Sequence, residues 1–209
     1  MTNLNEIRLS GESTCTELLP DFAIVEDISG KNPINIYSLA LEQGEIHLSG
    51  EINSKMADHM NVLLRFLARE KMNIKIFIDS HGGEVNAGLA IYDLLDSYPY
   101  DVDIYAVGIA ASMAAVLLAG GRKGHRYILP HSKVMIHEPL ISGGFGGSAT
   151  TIQKTAESIL ETKKKINEML AKFTGKTLEE IDKATAFDNF LSADEAIEFG
   201  LCDEIATGF

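Results

Sequence analysis

Between residues 73 and 121 the chain twice runs through one pattern: a β-branched or aromatic strand, a tight turn of small residues, then an apolar helix. "NIKIFIDS" passes through the glycine turn "HGGE" into "VNAGLAIYDLLDS", and "DVDIYAVGIA" passes through Ala111 into "SMAAVLLAGG". Strands that alternate with helices in this way pair in parallel, because a parallel pair needs a crossover and the crossover helix covers the sheet. The pattern continues on both sides. "EIHLSGEI" reads as a strand, "NSKMADHMNVLLRFLAREK" as a helix with Asn53 or Ser54 as N-cap, and "KVMIHEP" as a further strand. The expected class is α/β, with a single domain over 34–209 and no internal repeat. Residues 1–33 read as a polar N-terminal arm or propeptide, closed by "SGKNP", in which only "FAIVEDI" has strand character.

After the glycine-rich "ISGGFGGSAT", the residues Ile152, Ala156, Ile159, Ile166, Met169, Leu170 and Phe173 recur at helical steps. A helix over 150–173 would be ~36 Å long, more than a small core needs. It is expected to project, and its apolar stripe then calls for self-association. "SADEAIEFG" ends the pattern, with Ser192 and Glu195 at capping-box spacing and Gly200 as a helix stop.

Eighteen Lys plus Arg against 30 Asp plus Glu leave a net charge of −12, which argues against nucleic acid and anionic membranes as partners. No run reaches the ~18 apolar residues of a membrane span, and the N-terminus has no signal-like run. Cys15 and Cys202 form no CxxC and no metal spacing, so neither metal nor cofactor is expected and a reducing, cytoplasmic setting is the default.

Ser112 is the one hydroxyl in "GIAASMAAVLLAGG". Ala110 and Ala114 flank it as the glycines flank the serine of G-x-S-x-G, and small neighbours are what a sharp strand-to-helix bend requires. A buried serine bonded to a carbonyl one turn back is the plainer alternative, and local pattern favours it. In "DSHGGEVNAG" the two glycines suit a tight turn or, in a sharper reading, an oxyanion hole built from the amides of Gly83 and Met113. No phosphate-loop signature accompanies them. His137 ends the strand "KVMIH", where open parallel sheets place ligand sites, and is a candidate general base. His131, taken as lying on the same strand, is a competitor, and both cannot reach one hydroxyl. Asp182, Asp188, Asp194 and Asp203 are all available as the acid, and patterning does not choose among them. A Ser–Lys dyad through Lys133 is the weaker option.

In order, "IYS", "FIDSHGGEVNAGLAIYDLL", "GIAASMAAVLLAGG", "VMIHEPL" and "DNFLSADEAIEFGLCDEI" resemble the Clp protease proteolytic subunit, from about Ile36 to Ile205. The resemblance implies a crotonase-like spiral α/β fold with a projecting handle over about 140–174. It implies a serine endopeptidase with catalytic Ser112, His137 and Asp188 and oxyanion amides at Gly83 and Met113. It also implies two stacked heptamers, a tetradecamer of this chain, that degrade unfolded polypeptides delivered by a separate AAA+ ATPase. Four departures from the family pattern stand out: His81 in place of a proline, Phe187 in place of an arginine, and Ala184 and Ala186 in place of charges. Lys75 also stands where a pocket-forming aromatic is common, whereas Phe77 retains one. These departures motivate a second reading, a silent or weak paralogue in a mixed ring. A third keeps the fold and changes the chemistry, to a crotonase-type acyl-CoA enzyme.

Overall fold

A computed structural model describes residues 8–9, 22–27, 30–140 and 146–208. They fall into two compact units, Met1–Ile46 and His47–Phe209. In the first, β1 (Arg8–Leu9), β2 (Phe22–Asp27) and β3 (Gly30–Asn35) form an antiparallel sheet in that order. "SGKNP" is therefore not a plain loop. Most of it lies in β3, with Pro33 opposite Ile24. Because β3 pairs only with β2 in that sheet, the missing proline N–H costs no ladder bond on its other side. Helix α1 (Ile36–Glu42) follows, which the patterning does not anticipate; the Asn35 side chain caps it by accepting from the Tyr37 amide at 2.9 Å.

The second unit is built on a seven-stranded sheet. Its strands are β4 (Glu45–Ile52), β5 (Ile74–Gly83), β6 (Val102–Ala111), β7 (Arg126–Ile128), β8 (Lys133–Ile136), β9 (Asn189–Leu191) and β10 (Glu204–Ile205). The order β10-β7-β6-β5-β4 is joined by β8, which pairs with β6 and β9. Pairs β5–β6, β6–β7, β6–β8 and β7–β10 are parallel, and the short β9 runs antiparallel to β8. The fold is the mostly parallel α/β arrangement that the strand–helix alternation demands, with seven helices among the described residues.

Strand β6 changes partner along its length. Ile104–Ala106 pair with β7, whereas Ile109–Ala111 pair with β8. The change occurs at Gly108 (φ +83°), where an added Cβ would lie 2.7 Å from Asp79 Oδ1. Asp79 accepts from the Ile109 amide at 3.1 Å, and the Gly108 amide donates to Ser132 Oγ at 2.8 Å, so the irregularity leaves neither group unpaired.

Helices α2 (Ser54–Arg69), α3 (Val85–Asp96) and α4 (Met113–Ala119) cover the sheet. Asn53 rather than Ser54 caps α2, accepting from the Met56 amide at 3.0 Å. Every residue of α4 is buried, as befits a helix that is apolar on all sides. Helix α5 (Ala149–Thr174) is different. It buries only Ile166, Asn167, Leu170 and Phe173, and no residue from 149 to 165 is buried. Helix α6 (Leu178–Thr185), opened by a Thr177–Glu180 capping box, and α7 (Ala193–Phe199), opened by Ser192–Glu195, complete the unit.

Arg126 ties the helix ends together. Its guanidinium, 2 % exposed, donates to the carbonyls of Ala119, Phe173 and Gly200 at 3.0, 3.4 and 3.0 Å and pairs with the Asp203 carboxylate. A cation suits the C-terminal ends of helices, where unpaired carbonyls collect.

Candidate active site

The site forms where β5 and β6 end. β5 does not stop before its glycines but continues through them, with Gly82 at φ +90° and Gly83 at φ +153°. Only glycine fits here. A Cβ on Gly83 would lie 2.1 Å from the Ile52 carbonyl oxygen, and one on Gly82 would lie 2.7 Å from both Ser112 Cβ and the Ala111 oxygen and 3.0 Å from the Met113 nitrogen. The glycine backbone thus lies directly against the Ser112 turn. Ser80, which sequence patterning does not single out, holds it there: its buried hydroxyl donates to the Gly50 carbonyl at 2.5 Å and accepts from the Gly82 amide at 3.0 Å.

Ser112 stands between β6 and α4 with φ 55° and ψ −123°, a setting that L-residues seldom adopt. Its amide donates to the Met135 carbonyl at 2.8 Å, and its carbonyl accepts from Val116 at 3.2 Å. Ala110, Ala111 and Ala114 are fully buried around it, so nothing larger than a methyl group fits beside the bend. The Met113 amide opens α4 and has no acceptor within the helix.

His137 immediately follows β8, with its side chain 13 % exposed. Its Nε2 is 2.9 Å from Ser112 Oγ and its Nδ1 is 3.0 Å from Asp188 Oδ1. With the proton on Nδ1 the ring donates to Asp188 and accepts the Ser112 hydroxyl through Nε2. Asp188 directly precedes β9, whose pairing with β8 puts Asn189 opposite Ile136 and so brings acid and imidazole together. The Asp188 side chain is 61 % exposed.

The other candidates lie elsewhere. His131 is not on β8 but in the turn before it, exposed, because the strand begins only at Lys133. Lys133 is exposed on β8. Asp182 accepts from Asn167 Nδ2 at 2.5 Å, Asp194 lies in the first turn of α7, and Asp203 pairs with Arg126. Burial pushes the Cys202 thiol up to about 12, so it carries no thiolate at neutral pH. Among the described residues no group of His, Cys, Asp or Glu could hold a metal ion, and no helix is long and apolar enough to cross a membrane.

Ser112 and His137 open onto a cleft whose walls include Val85, Met113, Val116, Ile136, Ile166 and Leu170. The last two come from the buried end of α5. A nucleophile, an imidazole and an acid in one hydrogen-bonded line beside an apolar cleft can perform acyl transfer.

The family model described as Clp protease matches residues 28–208. The chain belongs to the Clp protease family. Membership supports a peptidase role, and the fold is that of the family's proteolytic subunit. The match covers nearly all of the second unit, so the Ser112 bend, the His137 strand and the Asp188 segment lie within it.

Proposed function

We propose that the chain is a serine endopeptidase in which Ser112 is the nucleophile, His137 the general base, Asp188 its orienting acid, and the Gly83 and Met113 amides the oxyanion hole. The observation that carries this reading is the unbroken line from Ser112 Oγ through His137 to Asp188, at 2.9 and 3.0 Å, with the serine at a positive φ.

The steps follow from that line. Ser112 Oγ attacks the carbonyl carbon of a peptide while His137 Nε2 takes its proton. Asp188 stabilises the imidazolium, and the two amides receive the oxyanion where negative charge develops. Collapse breaks the C–N bond, and His137 gives its proton to the leaving amine. Water then attacks the acyl group, passing a proton to His137, and Ser112 is released with its hydroxyl restored.

The substrates of this reading are unfolded polypeptides, held inside two stacked heptamers and delivered by a separate AAA+ ATPase. The exposed half of α5, with Ile152 42 % and Leu160 64 % exposed, supports self-association through that helix. Fluorophosphonate treatment followed by intact-mass analysis is expected to give one adduct on Ser112, absent from Ser112→Ala, with peptide hydrolysis lost alongside it. An assembled protein that takes no adduct would sink the reading.

A second reading, a weak subunit of a mixed ring, draws support from Phe187, which is 84 % exposed, and from the neighbouring acid Asp188, whose side chain is 61 % exposed. Hydrolysis by the purified chain alone, compared with a mixture of paralogous subunits, separates the two.

A further inference from the structure

Asp188 is an incomplete anchor for His137. Its side chain is 61 % exposed, so water competes for the hydrogen bond that fixes the imidazole. The residue after His137 is held at two points, although its carboxylate is itself partly exposed. Glu138 precedes Pro139, which confines it to extended backbone. Its amide donates to the Thr185 carbonyl at 2.8 Å, and its carboxylate accepts from Lys163 Nζ on α5 at 2.6 Å. That hydrogen bond raises the Lys163 pKa above the ordinary lysine value against a smaller opposing effect of burial, so the ammonium form is favoured.

Lys163 and Asn167 lie four residues apart, on one face of α5. Asn167, fully buried, donates to Thr185 Oγ1 at 3.3 Å as well as to Asp182. One helix face therefore grips Glu138 directly and Thr185 through Asn167. Thr185 in turn lies at the end of α6, three residues before Asp188.

We propose that the Lys163–Glu138 ion pair is a positioning device that holds His137 in line with Ser112. The inference rests on the serine peptidase reading. Lys163 touches neither substrate nor reacting atoms, and it acts only through the backbone that carries the base. A small displacement of a base is costly in the chemical step, and neither Lys163 nor Glu138 is among the residues that line the cleft.

The test uses full-length protein carrying Lys163→Met, Glu138→Met, both together, and Lys163→Arg, with peptide hydrolysis, fluorophosphonate labelling rate and light scattering on each. Either single methionine variant is expected to lose about 10- to 100-fold in kcat and in labelling rate with KM unchanged. The double variant should lose no more than the worse single, and Lys163→Arg should recover most of the rate. Wild-type rates in Lys163→Met, losses that multiply in the double variant, a change confined to KM, or a loss of assembled mass that tracks the loss of rate would each overturn the positioning role. If wild-type Ser112 itself takes no adduct, the peptidase reading falls with it. If wild type labels and Lys163→Met labels equally fast, only the positioning role falls.

Discussion

Ser112 occupies a backbone setting that costs on the order of 1–3 kcal/mol, and the surrounding packing holds it there. Gly82 is the tightest part of that packing. Gly82→Ala would push a methyl group into Ser112 Cβ and the Ala111 carbonyl, so a loss of about 10²-fold or more in kcat/KM is expected, with slower labelling of Ser112. Wild-type kinetics in that variant would show the bend to be less tightly held than its contacts imply. Asp203 gives a prediction of another kind. Burial alone would raise its carboxyl, but hydrogen bonds from Arg126 and from the Gly124 amide, with the Arg126 charge, hold it below the usual carboxylate range. A depressed pKa means stability that is present above the unfolded value of about 3.9 and lost as pH falls through the lower folded value. Asp203→Asn should therefore cost roughly 3–5 kcal/mol at pH 7, measured by denaturant unfolding, and the gap from wild type should narrow below about pH 4. An unchanged gap across that range would argue against the ion pair as its source.

At the scale of elements, legibility in the sequence followed the strength of local signals. The Ser192–Glu195 box with Gly200 predicts α7 correctly, and both halves of the box form, with Gly200 at φ +94°. Thr177 and Glu180 carry the same signature, yet α6 is not anticipated: it is eight residues long, so its apolar stripe is only Leu178, Ile181 and Ala184, too short for the period to register. β7, β9 and β10 are two or three residues each, too short for an alternation to register. The mixed outcome extends to the site. The Ser112 bend is visible as small residues at a strand–helix junction. The choice of Asp188 over three other aspartates is not visible in local patterning and came only with the family resemblance, because it depends on β9 pairing with β8, which joins His137 to an acid 51 residues away. The hold on Glu138 is likewise invisible, since Lys163 sits in "ETKKK", a charge run that reads as an ordinary solvated helix face.

At the scale of the whole molecule, the exposed half of α5 makes a prediction about assembly. Leu160→Asp places a charge on a side chain that is 64 % exposed, so secondary structure and thermal unfolding of the single chain should be little altered. Light scattering should show a smaller assembled mass, because a charge in an apolar contact leaves an uncompensated desolvation cost. A mass equal to wild type would place the contact elsewhere. Arg126 has a consequence of its own at this scale. Three helices end on its one guanidinium: α4, which follows Ser112, the core end of α5, and α7. Opening any one of them alone would strip a buried cation of an acceptor, so the three should open together as one cooperative unit. Residues 149–162, none of them buried, lie outside that unit. The same helix can fray at its outer end, before Lys163, while its inner end opens only with the Arg126 unit.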